Sequence, residues 1–210
     1  MKQTLSPKVI DVTAKANYKR QLIGCIFHHN KEVSLRTLLL GHPARIAYLK
    51  SAIPKGFHMK VLFVQRNPIG MIEYGPPAAA ALPIQGENII VMNCIWVHRK
   101  WQGHGYGKML IDIMMKSEKN AAGFASIALE NFWMAWMKRW MIERLGFKSI
   151  ESVRLKHKTY KKEQCFTAHL MWLPRTQDAI PPTLDKARLS YGVNSCFGHP
   201  LYWGKYGCLK

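Results

Sequence analysis

The sequence predicts an α/β layered domain, and three observations carry that reading. Residues 89–97 form the longest β-rich apolar run, Ile-Ile-Val-Met-Asn-Cys-Ile-Trp-Val. A glycine-rich turn and an amphipathic helix follow it directly. Further strand-like and helix-like segments then alternate to residue 150.

Each element has a local cause. An apolar run at 21–28 reads as a short strand. Residues 44–53 read as a helix, with Ile46, Leu49 and Ile53 at helical spacing between Pro43 and Pro54. Residues 60–65 and 69–74 read as a hairpin turned at Arg66-Asn67-Pro68. Pro76, Pro77 and Pro83 keep 75–86 out of a sheet interior, so this stretch is expected to be a surface loop bordering a pocket. The run at 89–97 is apolar on both of its faces and is therefore a central strand. Leu110, Ile113 and Met114 give the next helix, to about Asn120, its apolar stripe. Residues 124–129 form a second buried strand. Trp133, Trp136, Met137, Trp140 and Met141 recur at helical spacing, which predicts an amphipathic helix over 131–145 stopped by Gly146, its tryptophans packed in the core. Beyond Pro174 the composition shifts to proline, glycine and scattered aromatics. The chain accordingly divides into a domain at 1–173 and an irregular extension at 174–210 seated by its aromatic residues.

The chain has 210 residues, 48% of them hydrophobic and 20% charged, a globular composition with enough length to bury a core. No apolar run reaches the roughly 18 residues of a membrane span, and the start lacks the apolar stretch of a secretory signal. Five scattered cysteines without a CxxC pair fit reduced thiols. A cytoplasmic protein is expected, and a homodimer is compatible with the sequence. Lys and Arg number 31 against 12 Asp and Glu, for a formal charge of +19. That balance favours polyanionic partners, nucleic acid or a phosphate-rich cofactor among them. It disfavours a highly cationic substrate.

The chemistry centres on Gln102-Gly103-His104-Gly105-Tyr106-Gly107, between a buried strand and a helix. Glycines there let main-chain N–H groups approach a ligand closely. At a helix start these groups lack intrahelical partners, and the helix dipole adds positive charge, which together make a diphosphate cradle. Lys108, with Arg99 and Lys100 upstream, adds side-chain charge. The spacing is not that of a dinucleotide-binding GxGxxG, and no GK[ST] follows, so the Rossmann and P-loop readings fail.

The pattern Q/R-x-x-G-x-G/A, met by Gln102, Gly105 and Gly107, resembles motif A of the GNAT superfamily of N-acetyltransferases. Leu145-Gly146-Phe147 is similar to the sequence that closes the family's motif B, and the resemblance covers about 60–150. It implies a mixed, mostly antiparallel sheet flanked by helices, with one splayed parallel strand pair. It further implies that acetyl-CoA lies in the splay, its pantetheine arm along Ile95, Trp96 and Val97. The diphosphate would rest on the amides of Gln102, Gly103, His104, Gly105, Tyr106, Gly107 and Lys108, and Asn131 would stand where the acceptor and the cofactor thiol meet. Transfer would be direct: an amine attacks the thioester and a backbone N–H stabilises the oxyanion, with no metal and no covalent enzyme intermediate.

Two family features are missing. Ile142 stands where a tyrosine often protonates the departing thiolate, and Ala135 where an asparagine is frequent. The candidate acid–base residues are Glu73, at the end of the hairpin, Glu130, after the second strand, and His98, beside the glycine turn. Against these roles, Glu73 reads more simply as a solvated strand-end carboxylate and His98 as a surface imidazole, and Glu130 reads equally as a helix-capping acid. Strand alternation sends Asn93 and Cys94 to opposite faces, so at most one of the two meets the cleft. The basic run 154–162, with Tyr160 inside it, is a solvated strand pair or a polyanion contact. Cys196-x-x-His199 with Cys208 falls one ligand short of a zinc site. The expected activity is acetyl transfer from acetyl-CoA to an amine. A non-catalytic acyl-CoA binder and a nucleic-acid-binding protein are the rival readings.

Overall fold

The computed structural model describes residues 6–24, 42–134, 136–157, 164–196, 199–202 and 208–209. Pro7–Asp11 forms the edge strand β1, and Lys19–Gly24 forms a short helix, α1. The expected strand at 21–28 is therefore helical as far as Gly24, and its remainder lies outside the described residues; so short an apolar run does not separate the two states by periodicity. Pro43–Ala52 forms α2, opened by a proline in its first turn and continued by a 3-10 turn at Ile53–Lys55. His58–Val64 (β2) and Asn67–Gly75 (β3) make the predicted hairpin. The chain continues through β4 (Ile84–Gln85), β5 (Ile89–Val97), α3 (Tyr106–Ser117), β6 (Gly123–Glu130), α4 (Arg139–Glu143), β7 (Lys148–His157), β8 (Cys165–Pro174), β9 (Thr183–Leu184), α5 (Lys186–Tyr191) and β10 (Cys208–Leu209).

The large sheet runs β1-β2-β3-β5-β6-β8-β7-β10. Among the described residues every pairing in it is antiparallel except β5–β6. This is the mixed, mostly antiparallel architecture with one parallel pair that the sequence predicts. The strand β5 is central because both its faces are apolar. Ile89 and Val91 pack with Ile127, Leu129 and Leu170 on one face, while Ile90 and Met92 pack with Leu110, Ile111 and Met114 of α3 on the other. A third cluster, with Leu49, Phe57, Val61 and Met71, lies under α2.

Two further expectations are corrected. The helix predicted over 131–145 is confined to Arg139–Glu143. Asn131 and Met137 take left-handed backbone conformations (φ +58° and +36°), and the N–H of Leu129 donates to the carbonyl of Met137 at 2.9 Å. Backbone pairing to the end of β6 thus overrides the helical spacing of the tryptophans. Trp133 and Trp136 still pack on the core, but Trp140 is 54% exposed, with the Arg144 guanidinium 4.9 Å from its ring centre. The stretch at 75–86 is not a surface loop throughout, since Ala79 and Leu82 are buried and β4 pairs with β9. That pairing makes a separate two-stranded sheet, which ties the stretch just before β5 to the C-terminal segment. There β9 and α5 give local order, and the aliphatic Leu184, Leu189, Val193 and Leu201 enter the core.

Candidate functional site

The parallel pair holds together for four residues. Ile89–Met92 pair with Gly123–Ser126, and the Ser126 hydroxyl donates to the Met92 carbonyl at 2.7 Å at the last paired position. Beyond it β5 stays with β3 as far as Val97 opposite Gly70, and β6 stays with β8 as far as Glu130 opposite Thr167. The two strands part, and the edges of residues 93–97 and 127–130 line a fork.

A register shift sits at the vertex. Tyr74 lies opposite Met92 but Glu73 lies opposite Cys94, so Asn93 is an extra residue, a β-bulge. The bulge overturns the expectation that Asn93 and Cys94 face opposite ways. Asn93 accepts from the Ala81 N–H at 3.0 Å and donates to the Tyr48 hydroxyl at 2.7 Å. Cys94 packs on the same cluster as Tyr48. Both point to the α2 side, as does Trp96, while Ile95 and Val97 face α3. Burial raises the Cys94 thiol well above its ordinary pKa, and Glu73 adds to the rise.

The glycine turn begins where β5 ends. The His98 N–H donates to Ile69, and the His98 ring caps a 3-10 turn at Arg99–Trp101 by accepting from Lys100 at 3.4 Å. The Gln102 side chain donates to the Val97 carbonyl at 2.9 Å, which straps the turn to the strand. Gly103 and Gly105 have φ of +82° and +78°, values open to glycine. A Cβ at either would meet nothing within 4 Å, so the outer side of the turn is clear. Tyr106 then opens α3, whose first helical bond runs from the Met109 N–H to Gly105. The N–H groups before it lack helical acceptors. Around them stand Trp101, His104 and Tyr106, ring centres 6.1–6.4 Å apart. The buried Trp101 indole N–H has no hydrogen-bond partner. Lys108 is exposed and lies 3.5 Å from Asp112. Arg99 and Lys100 are also exposed. An open turn of main-chain donors ringed by cations suits a diphosphate.

The three acid–base candidates occupy three separate places. Glu73 is not a solvated strand end: it is 3% exposed and gripped by Arg45, at 2.5 Å and 3.2 Å. Arg45 also donates to the carbonyls of Leu22 and Ser195. Glu130, at the open end of the fork, lies 3.3 Å from both Arg139 and the His169 Nε2. The other ring nitrogen of His169 meets the Ser149 hydroxyl at 2.9 Å. Glu130 caps no helix, because α4 starts nine residues later and is reached through the Arg139 side chain. His98 is half-buried in the glycine turn, its ring edge-on to Trp96. Asn131 is exposed where the chain leaves the fork, and Ile142, at the expected tyrosine position, is buried.

Arg45, His169 and His199 escape the sequence reading as site residues. Each is placed by contacts distant in sequence, and Cys196-x-x-His199 alone flagged His199. Among the described residues no three metal-ligating side chains gather. Of the basic run, 154–157 lies on β7 and the remainder lies outside the described residues.

A model of the acetyltransferase (GNAT) family matches residues 41–147. No curated protein matches the chain in sequence. Among solved structures, an acetyltransferase of the GNAT family from Streptococcus pneumoniae is 11% identical, with a TM-score of 0.53 over 80% of this chain and 99% of that one. The ribosomal-protein-S18-alanine N-acetyltransferase of Escherichia coli is 13% identical, with a TM-score of 0.51 over 84% and 99%. Ard1 of Thermoplasma volcanium is 13% identical, with a TM-score of 0.51 over 81% and 99%. These likenesses are of fold.

Proposed function

The chain belongs to the acetyltransferase (GNAT) family and is an acyl-transferring enzyme, and from that premise we propose that it moves an acetyl group from acetyl-CoA to an amine. One observation carries the choice of donor: a fork between parallel strands opens onto a glycine turn whose outer side is clear and whose helix presents free main-chain donors. Gln102, Gly103, His104, Gly105, Tyr106, Gly107 and Lys108 hold the diphosphate. The unpaired edge of Ile95, Trp96 and Val97 aligns the pantetheine arm, with Asn131 at the mouth. The thioester then rests near the bulge at Asn93.

The chain's own contribution is position and charge. A backbone N–H of the bulged segment meets the negative charge that builds on the carbonyl oxygen as the amine attacks. The attacking amine must arrive neutral, and Glu130, half-exposed beside His169, is the carboxylate available to take a proton through water. Glu73 serves instead to hold Arg45 and the C-terminal segment, its lone pairs being engaged. Residues 1–173 form the catalytic unit, and 174–210 close its acceptor side.

The test is thiol release. Purified protein with acetyl-CoA and a panel of primary amines is expected to liberate CoA in step with acetylated amine, and Glu130→Gln is expected to lower kcat more than KM. Saturable acetyl-CoA binding without turnover of any amine would favour a non-catalytic binder, a reading that the buried Ile142 supports by leaving the usual acid position without a proton donor.

A further inference from the structure

On the α2 side of the sheet the bulge is walled by side chains from distant segments. Glu73 lies opposite Cys94 in register and is neutralised by Arg45. Arg45 in turn donates to the Ser195 carbonyl at 3.1 Å, which seats the C-terminal segment here. The Trp136 side chain stands beside the Cys94 thiol, and its ring centre is 4.2 Å from that of His199. His199 is thus one ring removed from the vertex of the fork.

Its imidazole has an unusual hydrogen-bond balance. Nδ1 accepts from the Leu201 N–H at 3.0 Å, which places the ring proton on Nε2. Burial holds the ring neutral, with its pKa pushed down to about 3. The side chain is 3% exposed, yet Nε2 has no partner. Buried donors are nearly always satisfied, and one left open in a wall beside a reaction centre points to a ligand. The surroundings narrow its chemistry. Among the described residues Arg45 and Glu73 cancel each other, His199 is uncharged and the Cys94 thiol is protonated, so this wall carries no net charge and its open nitrogen donor is the His199 Nε2–H. A carboxylate placed there would lose its hydration without a counter-charge, whereas a hydroxyl or carbonyl oxygen would be satisfied.

We propose that the His199 Nε2–H is the polar anchor of the acceptor subsite and receives an uncharged oxygen of the substrate, which makes the substrate class small primary amines bearing a hydroxyl, amide or ester oxygen. The assignment rests on the acetyl-transfer reading, which sets the thioester at the fork.

Two variants separate the roles of the ring. His199→Asn keeps an oxygen to accept from Leu201 and removes the distal donor, whereas His199→Gln retains a distal N–H. The probes are ethanolamine, glycinamide, glycine and n-propylamine. Wild-type kcat/KM for ethanolamine and glycinamide is expected to exceed that for n-propylamine by about tenfold to a hundredfold, with glycine the poorest of the four. In His199→Asn the advantage falls to about threefold or less, the Kd for acetyl-CoA is unchanged, and His199→Gln keeps most of the selectivity. Independently of any variant, glycinamide is expected to shift the His199 Nε2–H resonance of [15N]histidine-labelled protein. Selectivity that survives in His199→Asn, preference for glycine, equal use of n-propylamine, an unmoved resonance, or turnover of none of the four by protein that binds acetyl-CoA would overturn the assignment. Failure of the wild type to bind acetyl-CoA would instead remove the reading beneath it.

Discussion

The two sides of the β5–β6 fork are built on opposite plans. The side toward α3 is made of main chain, contiguous from Gln102 to Lys108, and open to solvent. The side toward α2 is made of side chains, from Arg45, Glu73, Cys94, Trp136 and His199, and is largely buried. A diphosphate needs donors and positive potential, which one turn and one helix start can supply. Recognition of an acceptor needs shape and specific partners, which only tertiary packing assembles. The first plan tolerates drift in side chains but not in backbone conformation, and the second does the reverse.

Substitutions can break each side separately. The largest effect on cofactor binding is expected at Gly105. Glutamate there puts a carboxylate at the proposed diphosphate site, and acetyl-CoA affinity should fall by more than about a hundredfold, roughly 3 kcal/mol, in titration calorimetry of protein shown to be folded by circular dichroism. Gly105→Ala sharpens the point. It strains a left-handed residue by about 1 kcal/mol but meets nothing within 4 Å, so binding should survive.

On the buried side Arg45→Met strands Glu73 without its counter-ion and should cost about 3–5 kcal/mol in urea unfolding. Arg45→Met with Glu73→Met should recover most of that loss, because a buried ion pair and an apolar replacement of similar volume are nearly equivalent. Acetyl-CoA affinity should change little in the double variant. A smaller loss, about 1–3 kcal/mol, is expected for Gly123→Ala, whose new methyl would enter the space of the Trp172 ring at the base of the fork.

The smallest effect lies away from both sides, where Asp11 of β1 meets His58 of β2 at 2.8 Å. The pairing raises the His58 pKa above 6.5 and, with the bonds from Thr13, lowers that of Asp11 to about 2. A raised histidine stabilises the fold below its unfolded pKa and loses that contribution as pH rises through the folded one. A lowered aspartate stabilises above 3.8 and loses its contribution as pH falls toward 2. The stability difference between wild type and Asp11→Asn should therefore be greatest between about pH 4 and 6.5 and shrink on either side, with acetyl-CoA binding unaffected.

Legibility in the sequence follows the same division. The limits of β5 were readable because eight apolar residues in a stretch of nine leave no other element, and the glycine turn was readable because its chemistry is local. The bulge at Asn93 was not, since one inserted residue in a ladder leaves no composition signal, and it reversed the inferred facing of Asn93 and Cys94. The tryptophan stripe at 131–145 misled for a related reason: helical spacing was present, but the backbone of Met137 is committed to Leu129. Glu73 read as a solvated carboxylate because its partner lies 28 residues away on α2. The open donor of His199 emerges only once Leu201, Trp136 and the core have closed around it.

The proposed function turns on main-chain donors at the start of α3 holding the diphosphate of acetyl-CoA. A crystal structure of the protein with CoA tests it most directly. Diphosphate oxygens are expected within hydrogen-bond distance of the N–H groups of Gly103 to Lys108, with the thiol at the bulge beside Cys94. A diphosphate seated elsewhere, or a fork that stays empty while CoA binds at another surface, would contradict it.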